Sequence, residues 1–184
     1  MPTPTPNTKR TRRASRTART SRTPLTVLIA MVDEAFQGRA WHGPTLRGSL
    51  NGVTARQAAW RPRPGRSSRT TAPPHNIWEL TVHTAYWKYA VRRRITGEKP
   101  ASFPFKGSNW FETGGRSWKD AVQLLIEEHR RLRAVIVALN PSALDRRVHG
   151  RDHSAAYTIR GIAAHDLYHA GQIQLLKRLQ GRVG

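Results

Sequence analysis

The chain has 184 residues, enough for one domain with a full hydrophobic core, and it contains no cysteine. The missing thiols exclude a disulfide scaffold, a thiolate nucleophile, a cysteine zinc finger and an iron–sulfur cluster, and they fit a reducing, cytoplasmic compartment. The 32 basic and 11 acidic residues give a net charge of +21, which suggests an anionic partner.

Residues 1–24 are predicted to form a disordered basic tail. Thr, Ser, Pro and Arg alternate there, and the segment has no acidic residue and no apolar face to bury. Its charge would suit nucleic acid or an acidic partner. Arg outnumbers Lys by 26 to 6, however, a bias that a GC-rich genome also produces, so nucleic-acid binding is not taken as the main function. The apolar stretch that follows, 25–32, is too short for a membrane span or a secretory signal.

Apolar residues recur at helical spacing in four stretches after the tail. The first stretch runs through Trp41, and an extension past a kink at Gly43-Pro44 to Leu50 is the alternative. No segment alternates like a β-strand. The chain is therefore predicted to be all-α, with residues 25–184 forming a four-helix bundle. The predicted helices are 25–41, 77–96, 117–139 and 158–179.

Two long connections join these helices. Residues 54–76 are rich in Arg and Pro, and a loop of that length in a compact domain is often functional. The connection before the third helix is too aromatic for a free linker and is expected to pack on the bundle. Its aromatic residues are Phe103, Phe105, Trp110 and Phe111.

Three histidines form the clearest chemical signal. His165 and His169 are four residues apart on the last helix, so both rings lie on one face and can converge on one metal ion. The same spacing also arises between surface histidines. His83, in the middle of the second helix, is the third candidate ligand, although a lone histidine there is often a core residue. Three imidazoles and an open position are typical of a divalent metal site that binds substrate.

Three segments resemble the DinB-like superfamily of metal-binding four-helix bundles. They are Trp41-His42-Gly43-Pro44, residues 77–87 (IWELTVHTAYW) and residues 165–173 (HDLYHAGQI). The resemblance implies an up-down-down-up bundle, frequent homodimers, and a divalent ion held by one histidine of the second helix and two residues of the last. His83, His165 and His169 match those positions. Relatives include metal-dependent hydrolases and low-molecular-weight-thiol-dependent transferases.

Five further residues are candidates for the surroundings of the metal. His42 could accept a proton or contact substrate, although packing against the first helix is the alternative. Asp166 and Gln172 could orient the ligand rings, since metal-bound imidazoles usually donate their second N–H, but Asp166 could also face outward. Trp87 is expected to line the pocket, and His129 to be a pocket residue or a hydrogen-bonded core histidine. The remaining histidines are expected to be solvated: His75, His149 and His153.

The sequence thus favours a metal-dependent enzyme, a hydrolase or a small-thiol transferase. The cofactor would be one divalent ion, Zn or Ni first and Fe or Mn as alternatives, with a low-molecular-weight thiol as a further cofactor. The substrate would be a small molecule, anionic or thiol-conjugated, drawn in by the basic runs 92–94 and 130–131 unless these are simply solvated. The alternative is a non-catalytic, metal-stabilised binding module whose tail contacts nucleic acid or acidic partners.

Overall fold

A computed structural model describes residues 23–62, 74–99 and 103–181. In these ranges the chain forms helices and no strand, so the all-α prediction is confirmed. None of the described helices is long and apolar enough to cross a membrane. All but the end of the predicted tail lies outside the described residues. The elements are α1 (Pro24–Phe36), α2 (Leu46–Ser49), α3 (Ala55–Ala59), α4 (Ile77–Thr96), α5 (Trp118–Val137), a 3-10 turn (Pro141–Ala143) and α6 (Ala155–Gln180).

Side-chain caps explain why the long helices begin where they do. Asn76 and Ser117 each accept a hydrogen bond from the third residue of the helix that follows, and that residue's carboxylate binds back to the cap. These capping boxes satisfy N–H groups that a helix start would otherwise leave free. Gly97 ends α4 with a left-handed φ of +74°, a conformation that favours glycine.

The first helix and the first connection differ from the prediction. Helix α1 ends at Phe36 and does not reach Trp41, because the chain turns at Gly38 with φ of +100°. Gly43, with φ of +98°, lies in the loop that follows, and the chain becomes helical again only when Thr45 caps α2. The connection 54–76 is also not a continuous loop, since it contains α3. A capping box between Thr54 and Gln57 starts that helix, whereas residues 63–73 of the connection lie outside the described ranges.

The long helices enclose the core. Helix α4 packs against α5 and α6, and α1 packs against α5 and α6. The aromatic connection covers one side of α4, where Phe105 and Phe111 are buried with Val82 and Ala121, as expected. Helix α4 is therefore covered on three sides, and its central residues face the interior. The up-down-down-up order stays a prediction.

Candidate metal centre

The three predicted histidines come together between α4 and α6. Nε2 of His165 lies 3.1 Å from Nε2 of His83 and 3.1 Å from Nε2 of His169. A tetrahedral zinc ion with bonds of ~2.0–2.1 Å separates its ligand atoms by roughly 3.3 Å. His83 and His169 are 5% and 4% exposed, and His165 is half-buried. The cluster therefore has the spacing and the burial of a site that could hold a metal ion.

The hydrogen bonds on the far side of two rings determine where their protons lie. Nδ1 of His83 donates to the carbonyl of Asn109 at 2.8 Å, and Nδ1 of His169 donates to Oε1 of Gln172 at 2.6 Å. When these rings are neutral, each Nε2 therefore presents a lone pair to His165. His165 can donate to only one of them, and its Nδ1 is buried with no hydrogen-bond partner in the described chain. A cation at the centre would satisfy all three Nε2 atoms, which the rings alone cannot do.

Burial keeps these rings neutral. Burial, and after it the neighbouring histidines and the charge of Lys88, together lower the pKa of His165 from 6.5 to about 3. Burial also lowers the pKa of His169 to about 4, although the hydrogen bond to Gln172 opposes the shift. The pKa of His83 is lowered for the same reason, against the hydrogen bond to Asn109. Neutral imidazole is the form that binds metal, so near neutral pH these rings are already in the protonation state that an ion requires.

The aromatic connection forms one wall of the centre. The indole of Trp110 lies between two histidines and stacks on His83 at 4.1 Å and on His75 at 3.4 Å between ring centroids. Asn109 accepts from Trp87 Nε1 at 3.0 Å in addition to its bond with His83. Trp87 contacts the rings of His83 and His165 edge-on, so the structure places it beside the three histidines. Sequence reasoning missed Asn109, because a loop residue gives no periodic signal.

Comparison with known families agrees with this geometry. The sequence model of the DinB superfamily matches residues 40–173, most of the chain, with all three histidines inside the matched range. The chain belongs to the DinB superfamily. No curated protein and no solved structure matches it.

Two cavities border the histidine cluster of this DinB-superfamily chain. The first cavity, about 290 Å³, is lined by His165 and Trp87 together with residues of α4 and α6 and of the loop before α6. The second cavity, about 460 Å³, is lined by His169, Trp110 and His75, among others. A ligand in either cavity would lie beside a candidate metal ligand.

His75 lies in the loop before α4 with its side chain 41% exposed, and it also lines the second cavity, which the sequence-based interpretation did not anticipate. It is half-buried under Trp110, and its Nδ1 lies 3.1 Å from a carboxylate oxygen of Glu79. Arg61 also pairs with Glu79, and these hydrogen bonds lower the pKa of that carboxyl although burial raises it. Glu79 therefore stays ionised and holds one nitrogen of His75.

Asp166 is buried and does not face outward. It is 1% exposed and pairs with Lys88, whose side chain is fully buried at the centre of α4. Oδ1 of Asp166 has no hydrogen-bond partner in the described residues, and the side chain makes no hydrogen bond to a histidine of the cluster. Burial raises the pKa of Asp166 and lowers that of Lys88, and the attraction between the two opposes both shifts. Lys88 was missed at the sequence level.

His129 and His42 lie apart from the cluster. His129 stacks on Phe36 at 3.6 Å, and burial, together with the charge of Lys88, lowers its pKa to about 3. It is a core residue but not a hydrogen-bonded one, because neither ring nitrogen has a partner in the described residues. His42 is exposed in the loop before α2, where it lines a separate groove with Gly171 and Arg178. The structure thus brings His42 together with neither the three histidines nor their two cavities.

Proposed function

We propose that this protein is a metal-dependent enzyme in which His83, His165 and His169 hold one divalent ion. The observation that carries the proposal is the convergence of three Nε2 atoms, at least two of which present lone pairs to the same point. The reaction class is hydrolysis or group transfer to a low-molecular-weight thiol. Zn²⁺ and Ni²⁺ are the first candidates, because imidazole suits both, and Fe²⁺ or Mn²⁺ are alternatives.

The ion supplies Lewis acidity, which activates water or a thiol for attack near neutral pH. The chain supplies three ligands, and a structural zinc site would want a fourth. The cavities beside His165 and His169 give a small molecule access to the same centre. This arrangement favours a site that binds substrate over one that only stabilises the fold.

His75 is the side chain we assign as the proton acceptor, in place of His42. Glu79 holds its Nδ1, as a carboxylate orients a catalytic imidazole, and the ring lines the same cavity as His169. Only the indole of Trp110 separates its ring from that of His83. His75→Gln should therefore leave metal affinity within about threefold of the parent protein while it lowers turnover by about 10²-fold or more.

Metal titration tests the centre directly. The purified full chain is stripped with a chelator and titrated with Zn²⁺ and Ni²⁺ by calorimetry, with elemental analysis of the untreated protein alongside. One ion per chain is expected. Alanine at His83, His165 or His169 should abolish binding, and Gln172→Ala should weaken it about 10–100-fold because it frees the His169 ring. His149→Ala, at an exposed histidine, is the matched control; a chain that binds no ion, or loses binding equally in this control, refutes the proposal.

Activity is tested with the metal-loaded chain against aryl esters, and against an electrophile with a panel of low-molecular-weight thiols. Turnover that disappears in His169→Ala and is lost on chelation is the expected result. The alternative function, a metal-stabilised binding module, predicts no turnover and salt-dependent nucleic-acid binding that deletion of residues 1–22 removes. A homodimer, the family expectation, is checked by light scattering on the same samples.

A further inference from the structure

The first cavity combines an apolar interior with two arginines. Val91, Val148 and Ile162 supply apolar wall, and Trp87 and His165 close the side toward the histidine cluster. Arg94 of α4 and Arg151, which lies just before α6, line the same space. Its volume of about 290 Å³ is near the lower end for pockets that hold small molecules.

These two arginines differ from the others near them. Arg92 pairs with Glu98 and Glu128, whereas in the described chain neither Arg94 nor Arg151 pairs with a carboxylate. Arg94 is half-buried, its guanidinium lies 5.2 Å from the centre of the Trp87 ring, and burial and the nearby charge of Arg151 lower its pKa. Two arginines that line one largely apolar cavity, and that have no carboxylate partner among the described residues, leave a place for an anion.

We propose that this cavity binds a small aryl carboxylate, with its aromatic body against Trp87, Val91 and Ile162 and its carboxylate at Arg94 and Arg151. The aromatic preference follows from Trp87 and Tyr157, which both line the cavity. An inorganic anion would leave the apolar wall uncovered, and a neutral ligand would leave both guanidinium groups unpaired. Bidentate pairing with a carboxylate is the geometry that arginine provides best.

A role for this ligand as substrate rests on the proposed function, because only a metal at His165 would make the cavity part of a reaction site. Binding of the ligand does not depend on the metal. The two proposals are therefore tested separately. Metal titration tests the metal centre, and ligand titration of the metal-free protein tests the cavity.

Gly161 offers a direct way to close the cavity. It lies within α6 and lines the cavity, and a Cβ added there meets no atom within 4 Å. Gly161→Leu should therefore place its side chain in ligand space, starting from a Cβ that meets no protein atom, and leucine is a better helix former than glycine. Gly171 provides the matched control, because it also lies within α6 with open space at its Cβ but lines the groove of His42.

The probe is 3-phenylpropanoate, titrated by calorimetry into the chelator-treated full chain, with 3-phenylpropan-1-ol and acetate as comparison ligands. Saturable binding of the carboxylate, at least tenfold tighter than either comparison ligand, is expected. Arg94→Gln should weaken it about tenfold, and Arg151→Gln about threefold because Arg151 is exposed. Gly161→Leu should abolish binding, and Gly171→Leu should leave it unchanged. Circular dichroism verifies that each variant is folded.

Three results would overturn the assignment. Equal affinity for the alcohol and the carboxylate would show an apolar site without anion recognition. Binding that appears only after Zn²⁺ is added, and that Arg94→Gln does not change, would place the carboxylate on the metal instead. Equal loss in both glycine variants, or in neither, would place the ligand outside this cavity.

Discussion

The buried pair of Lys88 and Asp166 gives the sharpest prediction about stability. Both side chains are almost fully buried, and each is the only charged partner that the described residues give the other. Lys88→Met removes one charge and keeps an unbranched chain beside Phe36, whose ring centre lies 4.9 Å from Nζ. Asp166 then remains alone in the core with both oxygens unpaired.

The loss of folding stability in Lys88→Met can be estimated from the cost of protonating the unpaired Asp166. Asp166 can take up a proton, and at pH 7 this costs about 4 kcal/mol, since its ordinary pKa is about 3.9 and each unit is worth about 1.36 kcal/mol. That value agrees with the loss of about 3–5 kcal/mol typical of a broken buried pair. In a domain of this size it lowers Tm by about 10 °C. Lys88→Met/Asp166→Asn leaves no charge to bury and should return to within about 1.5 kcal/mol of the parent protein.

The pH dependence distinguishes an orphaned carboxylate from a packing defect. Burial raises the pKa of Asp166 in the folded state. The folded Lys88→Met variant then binds more protons than the unfolded chain, so its stability decreases as pH rises above about 3.9. Relative to the double variant it should gain about 2.7 kcal/mol between pH 7 and pH 5, measured by urea unfolding. A loss below about 1 kcal/mol at pH 7, or a deficit that does not shrink at pH 5, refutes the reasoning.

Three further predictions concern the buried His129, the pH dependence of metal affinity and the open position Gly161. His129→Leu should stabilise the protein most at low pH: the folded pKa of about 3 lies below the ordinary 6.5, so the histidine costs stability as pH falls below 6.5. Its removal should gain about 2 kcal/mol more at pH 5 than at pH 7 in urea unfolding, and an equal gain at both values would contradict a buried neutral ring. Zn²⁺ affinity, measured by chelator competition, should change less than about tenfold between pH 7.5 and pH 5.5, whereas three ordinary imidazoles would lose about 10³-fold. Gly161→Ala should raise Tm by about 2–4 °C, because a Cβ meets open space there, and a lower Tm would show that the helix needs glycine at this position.

Helix α4 shows how much of the fold the sequence contains. Its predicted bounds, 77–96, are those of the structure, because Asn76, Glu79 and Gly97 are local signals that act through neighbouring backbone groups. The same kind of signal, Thr54 with Gln57, marks α3, which the prediction had placed in a loop. The first helix was predicted too long, since apolar spacing alone does not reveal that Gly38 takes a left-handed φ.

The candidate site, like the fold, follows partly from local spacing in the sequence and partly from packing between helices. Spacing four residues apart puts His165 and His169 on one face, and this much follows from helix geometry alone. That His83 meets them depends on how α4 packs against α6, a contact between residues 82 positions apart in the chain. The family resemblance supplied that pairing at the sequence level.

By itself, the sequence determined the helical class, the family and the three candidate ligands, because periodicity, caps and motifs are local properties of the chain. Only the tertiary structure decided what surrounds those ligands. It placed Asn109 and Trp110 beside His83, placed Arg94 and Arg151 in the wall of a largely apolar cavity, and buried Lys88 against Asp166. The physical reason is that packing between distant segments determines which side chains are buried and which groups pair with each other. The same packing determines which arginines find a carboxylate partner.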